Sequence, residues 1–383
     1  MNRIDFDHNA TTRLDARVAS AMRVALEEAH GNPSSVHADG RRARDLVERA
    51  RAEVARLLNG AASGVVFTSG GTEADVLGVV GGARAARAAG RPARVVSSPL
   101  EHPAVAGALA ALAADGFEVV LVPVDASGRV DGADVERALA PGAALASFAL
   151  ANHELGNVYD IATFAAAARR AGALVHVDAV QAAGKLAVDV GALDADLVAI
   201  SAHKLHGPKG VGALWVRPGV ALAPLFGGGH QEKGLRPGTE NVVGVVGLGE
   251  AARLARTEGP ADAARVIGLR DRLEAGVRAL GAHVNGDPDA RVGNTANVAF
   301  EGVSGEVLVI ALDLDGVSAS TGAACTSGSV EPSPVLLALG QSRARAGEAV
   351  RLSLGRDNRG EDVDRVLELL PLLVARIRAA GPV

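Results

Sequence analysis

Leu174-Val175-His176-Val177-Asp178-Ala179-Val180-Gln181 and Leu197-Val198-Ala199-Ile200-Ser201-Ala202-His203-Lys204 share one plan: a short apolar, β-branched run that ends in polar residues. Five more runs of the same kind occur at Val65-Thr68, Val95-Ser98, Val119-Val122, Leu145-Leu150 and Gly212-Val216. Between them lie Ala-rich stretches with helical spacing, at about 15–29, 38–58 and 72–89 near the start. Strands alternating with helices predict an α/β fold, with seven runs forming one large, mostly parallel sheet flanked by helices. After Gly238-Thr239-Glu240-Asn241 the pattern changes. A long helix at about 242–280, a strand near Asn297-Phe300, a helix from Glu306 and a strand at Val350-Leu354 predict a smaller α+β domain. Ligands of such sheets bind beyond the carboxyl ends of the strands, where the polar residues of both opening segments fall.

The chain has 383 residues, 48% of them hydrophobic, enough to bury a large core divided between two domains. Its apolar stretches are interrupted by Gly, Arg or Asp well before the ~20 residues of a membrane span, and Met1-Asn2-Arg3-Ile4-Asp5-Phe6-Asp7 lacks a signal-peptide core. A cytoplasmic protein with no membrane partner is therefore expected. One cysteine, Cys325, rules out an internal disulfide framework and a cysteine-built metal site. A net charge of −5 and 2% aromatic residues argue against direct nucleic-acid binding. Lysine is rare: only Lys185, Lys204, Lys209 and Lys233 occur.

Several motifs carry chemistry. In Ser69-Gly70-Gly71-Thr72-Glu73, backbone amides and the Thr72 hydroxyl follow a strand and open a helix, a cup for phosphate, although a Gly-Gly turn with a threonine cap explains the same residues. Asp178 ends an apolar strand, where a carboxylate needs a cation such as a protonated pyridine nitrogen. Gln181, three residues on, is placed to touch a ring oxygen. Lys204, just past a strand and flanked by Ser201 and His203 as further phosphate donors, offers an amine for a Schiff base. His203 and His206, with no carboxylate or thiol nearby in sequence, make a poor metal site. His102, in Glu101-His102-Pro103, can stack on a pyridine face and shuttle protons. Arg351 and Asn32, the latter in Gly31-Asn32-Pro33-Ser34-Ser35, are candidates for a substrate carboxylate. Cys325 sits in a run of small polar residues, Ser320-Thr321-Gly322-Ala323-Ala324-Cys325-Thr326-Ser327-Gly328-Ser329, which suits a reactive thiol better than a core one. An acid for a ring nitrogen, a lysine for an aldehyde and a reactive thiol point to sulfur chemistry on pyridoxal 5'-phosphate (PLP).

Taken together with Asp7-His8-Asn9-Ala10-Thr11-Thr12, Arg236-Pro237-Gly238-Thr239-Glu240-Asn241 and Cys325-Thr326-Ser327-Gly328, these motifs closely resemble the NifS/IscS cysteine desulfurases over essentially the whole chain. The resemblance implies a PLP enzyme of fold type I, a homodimer, that converts L-cysteine to L-alanine and leaves a persulfide on its own cysteine. It implies a large domain over 13–250 and a small one formed by 1–12 and 251–383, with the cysteine loop at about 318–333. Lys204 would hold PLP and move the Cα proton, and Asp178 would keep the ring nitrogen protonated. Gly71, Thr72, Ser201 and His203 would bind phosphate, with Thr239 donated from the other subunit. Asn32 and Arg351 would fix the substrate carboxylate, His102 would stack on the ring as acid or base, and Cys325 would attack the substrate sulfur. The sulfur would then pass to an acceptor protein, a scaffold or thiolation enzyme, for iron–sulfur assembly, tRNA thiolation or DNA phosphorothioation.

Two positions depart from the family. Asn152-His153-Glu154 stands where Asn-Asn-Glu is usual, so His153 is expected to contact the ring hydroxyl; in an extended segment Asn152 would face the other way. Thr321-Gly322-Ala323-Ala324 replaces the more common Ser-Gly-Ser-Ala before the cysteine. Rival readings are a selenocysteine or cysteine sulfinate lyase, an aminotransferase, and a sulfur-carrying scaffold without catalysis. An aminotransferase has no use for Cys325, and a scaffold none for Lys204, Asp178 and His102.

Overall fold

The computed structural model describes residues 3–321 and 331–380. Its strands in chain order are β1 (Ile4–Asp5), β2 (Val65–Thr68), β3 (Arg94–Ser97), β4 (Glu118–Leu121), β5 (Leu145–Ala149), β6 (Leu174–Asp178), β7 (Leu197–Ser201), β8 (Gly212–Val216), β9 (His283–Asn285), β10 (Thr295–Ala299), β11 (Val317–Ser318) and β12 (Ala349–Ser353). Seven of them form one sheet in the order β2-β8-β7-β6-β5-β3-β4. All neighbours are parallel except those of β8, which runs against both β2 and β7. The expected α/β fold and its sheet are thus present, with strand ends shifted by about a residue, as fraying termini allow. β5, β6, β7 and β8 are buried at every position, because helices cover both faces.

The strand order places a switch point between β3 and β5: the chain passes from β3 outward to β4, then returns to the other side of β3. A crevice opens beyond the carboxyl ends of strands at such a point. His102 follows β3, His153 follows β5, Asp178 ends β6, and Lys204 follows β7.

The helix expected at 72–89 starts at Gly71 and changes to π-helical geometry over Leu77–Gly81 before resuming at Gly82–Ala88. Close packing on the sheet accompanies the change. A Cβ on Gly78 would stand 2.6 Å from Cδ2 of His176, so only glycine lets this helix lie against β6.

Two apolar cores are separate from the one beneath the helices of the sheet's other face. The first includes Phe67, Val177, Ile200 and Leu248; the second gathers Phe6, Leu273, Val298, Leu352 and Leu370 around the sheet β12-β10-β9. Helix Val242–Ala279 belongs to both, with Leu248 and Leu254 in the first core and Leu273 and Val277 in the second. Residues 4–9 also join distant parts of the chain. β1 pairs with β11, Phe6 is fully buried in the second core, and Asn9 reaches the mouth of the large sheet. No helix among the described residues is long and apolar enough to cross a membrane.

Candidate active site

A cavity of about 240 Å³ lies at the switch point. Gly71, Thr72, His102, His153, Asp178, Gln181, Ser201, His203 and Lys204 all line it. Residues separated by more than a hundred positions meet there because each follows or ends a strand of the same sheet.

Asp178 is buried, and its Oδ1 accepts the Val180 amide at 2.8 Å. Burial pushes its carboxyl above the ordinary range, while His153 and Lys204 pull it down. A protonated ring nitrogen would stabilise the carboxylate further. Lys204 Nζ donates to the carbonyls of Asn9 and, at 2.9 Å, Ala10. Burial, and then the Arg351 guanidinium, lower its pKa to about 8, against the opposing pull of Asp178 and Asp7. Much of the amine's affinity for a proton is lost, which suits a group that must attack an aldehyde. Ser201 Oγ is buried without a hydrogen-bond partner among the described residues and shares the cavity with Thr72 and His203. A buried hydroxyl left unpaired is costly, and a phosphate oxygen would satisfy it. The cavity's donors, acid and amine therefore fit PLP.

His102 caps helix Pro103–Ala114 through Nδ1, which accepts the Ala104 amide at 3.1 Å. In the neutral ring this hydrogen bond leaves the proton on Nε2. Burial, with His153 and Lys204 adding to it, lowers the ring's pKa to about 3. Taking up a second proton would require the ring to release the cap, a constraint on the acid–base role expected for His102. The His153 ring meets that of His102 edge-on, with centroids 5.2 Å apart.

Residues 153–155 form a turn, so the alternation of an extended segment does not decide which way Asn152 faces. Asn152 is kept from the cavity because its amide is committed: Nδ2 donates to the Leu100 carbonyl, and Oδ1 accepts the amides of Glu154 and Leu155. Gln181 is also engaged, donating to the Asn9 carbonyl at 2.9 Å and accepting from Lys185 at 2.6 Å. Contact with a ring oxygen requires one of these bonds to be exchanged.

Three other expected residues lie outside this cavity. Asn32 is exposed, and its Oδ1 accepts the Ser34 amide. Thr239 is exposed and lines a separate depression with Arg236 and Glu240. Arg351 is buried in β12, where Nη1 donates to the His153 carbonyl at 3.0 Å and Nη2 pairs with Asp7 at 2.9 Å. A single chain does not bring Asn32 and Arg351 together. Cys325 falls outside the described residues.

Two participants were missed from sequence. Asp75 lines the cavity from the same helix as Thr72, three residues on, and is fully buried. Burial, followed by Asp178 and Glu101, raises its carboxyl well above the usual range. Its neighbour His176, with Nε2 at 3.6 Å from Oδ1, hydrogen-bonds Ser147 through Nδ1 at 2.9 Å. The i, i+3 spacing from Thr72 was the available signal. Asn9 is the second. Beyond its contacts with Lys204 and Gln181, it accepts from Lys185 and Asn294 through Oδ1 and donates to Thr295 and the His153 carbonyl through Nδ2.

Residues 4–366 match the family model described as aminotransferase class-V. A cysteine desulfurase of Gluconacetobacter diazotrophicus is 45% identical, over 100% of this chain and 96% of the relative. The cysteine desulfurase NifS of Azotobacter vinelandii is 41% identical, over 98% of this chain and 94% of the relative. A solved structure of a NifS-like protein superposes with a TM-score of 0.90 at 35% identity, covering 98% of this chain and 100% of the other. The chain belongs to the class-V aminotransferase family and, within it, to the NifS/IscS-type cysteine desulfurases.

Proposed function

We propose that this chain is a PLP-dependent cysteine desulfurase that converts L-cysteine to L-alanine and takes the sulfur onto Cys325 as a persulfide. The observation that carries the reading is the convergence of Lys204, Asp178 and the unpartnered Ser201 hydroxyl on one cavity. PLP, when bound, supplies the aldehyde and the electron-withdrawing ring that acidifies the Cα–H of the amino acid. Asp178 would keep the ring nitrogen protonated. Thr72, Ser201 and His203 would bind the phosphate. Lys204 Nζ would hold the cofactor through its aldehyde, and the same amine is placed to move the Cα proton. Arg351 binds the substrate carboxylate.

Cys325 lies five residues beyond Ser320, whose backbone bridges Arg351, so at most about 18 Å of extended chain separates its Cα from that anchor. As a thiolate it attacks the sulfur of bound cysteine. The new S–S bond forms as the carbon–sulfur bond breaks, and a proton added to the carbon completes alanine. The persulfide then passes to a cysteine of a partner protein serving iron–sulfur assembly, tRNA thiolation or DNA phosphorothioation.

The working unit is a homodimer. The exposure of Thr239 and Asn32 on their own chain supports their use at a partner subunit's site. A single cysteine suits the reducing cytoplasm.

Alanine formation from L-cysteine, with cofactor absorbance recorded on the same samples, tests the reading. Wild type should release alanine, Cys325→Ala should keep the cofactor band and lose turnover, and Lys204→Ala should lose the band. Full activity of Cys325→Ala would overturn the persulfide role in favour of a lyase or an aminotransferase.

A further inference from the structure

The Asp7-His8-Asn9 segment contributes a second group whose partner is part of the substrate site. Asp7 Oδ1 accepts from Arg351 Nη2 at 2.9 Å. On the other side of the guanidinium, Nη1 is fixed by the His153 carbonyl at 3.0 Å. Nε has no hydrogen-bond partner among the described residues, although Arg351 is 5% exposed. One carboxylate oxygen thus serves the Nε/Nη2 edge, which is shaped for two. The unmet Nε–H is a buried donor left unsatisfied. Asp7 is also more accessible than its partner, with its side chain 26% exposed against 6% for Arg351. Its charge reaches the amine as well, opposing the effect of burial and of Arg351 on Lys204.

We propose that Asp7 stands in for the substrate's α-carboxylate before substrate binds: it neutralises Arg351 through one oxygen, and the incoming carboxylate displaces it to take Nε and Nη2 together. The proposal rests on the reading of Arg351 as the carboxylate anchor. A desolvated guanidinium left without a counter-ion would be costly, so Asp7 keeps the site stable between turnovers. That protection reduces apparent affinity, because substrate must compete with an internal carboxylate. It also favours release of L-alanine, since Asp7 can return as the product leaves. An amine lacking a carboxylate, such as cysteamine, leaves the Asp7–Arg351 pair intact and gains nothing from the anchor.

Asp7→Asn keeps the shape of the side chain and removes the competing charge. In the holoenzyme, KM for L-cysteine should fall by about three- to tenfold, as expected for loss of a partly exposed charge-assisted hydrogen bond. The dissociation constant of L-alanine, followed by cofactor absorbance, should fall by the same factor, and Asp7→Glu should stay near wild type. An unchanged or raised L-alanine dissociation constant in Asp7→Asn, at equal cofactor content and melting temperature, overturns the proposal. Should Asp7→Asn fold poorly, Asp7→Ser gives the same readout. Arg351→Lys separates the two levels of inference. If it raises KM while Asp7→Asn fails to lower it, the competition alone is wrong. If Arg351→Lys leaves KM unchanged, the carboxylate anchor is wrong and the proposal falls with it.

Discussion

The cofactor end and the substrate end of this site are built differently. At the cofactor end, Asp178, Ser201 and Lys204 stand on or just after adjacent central strands and line one cavity within a single chain. At the proposed substrate end, Arg351 comes from the small sheet and is already paired with Asp7, whereas Asn32 is exposed. A rigid parallel sheet can place most of the groups for a resident cofactor within one chain. The groups proposed to meet a substrate which comes and goes are spread along the chain, with Arg351 in the second core and Asn32 exposed.

The largest test of this contrast is Asp178→Asn. The amide keeps the size of the carboxylate but cannot serve as an anion for the ring nitrogen, so kcat should fall by about two to three orders of magnitude. Cofactor content should stay close to wild type because the phosphate donors and Lys204 remain. Stopped-flow and steady-state alanine release measure the loss; a decrease below about tenfold would mean that the cofactor end does not depend on this charge.

A smaller effect sharpens the comparison between chains. Thr239→Ala should leave the melting temperature of the cofactor-free protein within about a degree, since the side chain is exposed on its own chain, yet weaken PLP retention by about tenfold if it binds phosphate across a dimer. Equilibrium dialysis of PLP checks this. Unchanged retention would make the phosphate site a property of one chain.

The smallest effect concerns Glu101, in the buried layer beside the cofactor end. Burial raises its pKa to about 8 from an ordinary 4.5, with Asp178 adding to the shift. Between those values the folded chain keeps a proton that the unfolded chain has lost, so stability falls as pH rises through this window. Glu101→Gln removes that dependence while retaining an acceptor for the Ser98 hydroxyl. Its melting temperature should exceed that of wild type by a few degrees at about pH 9 and match it near pH 4. Equal melting temperatures at both pH values would show that Glu101 is more hydrated than its surroundings suggest.

The sheet and the cofactor end were legible in sequence for a shared reason. Polar residues at or just past the end of a short apolar run mark a strand end, and this pattern singled out Asp178, Ser201 and Lys204. The resemblance added positions such as His153 that no local pattern singles out. What stayed hidden depends on contacts across long separations: the Asn9 carbonyl beneath Lys204, Arg351 held by Asp7, and Asp75 facing Asp178. Each is an ordinary residue in its local segment and acquires its role only when a partner arrives from elsewhere in the chain. The turn at 153–155 was hidden for the opposite reason, since two local hydrogen bonds to Asn152 Oδ1 outweighed its strand-like setting.

The placement of residues 4–9 sets a schedule for synthesis. The Asn9 amide bonds the hydroxyl of Ser353, 344 positions later, and the Ser353 amide bonds the carbonyl of Phe6. On the ribosome the first of these residues emerges long before its partner exists, so the central sheet can form while the floor of the lysine pocket is still open. A nascent chain is then an α/β layer without a finished catalytic centre. The floor of the lysine pocket is tied down only once Ser353 has been made, 344 positions after Asn9, so folding of the sheet and completion of the pocket are separate events.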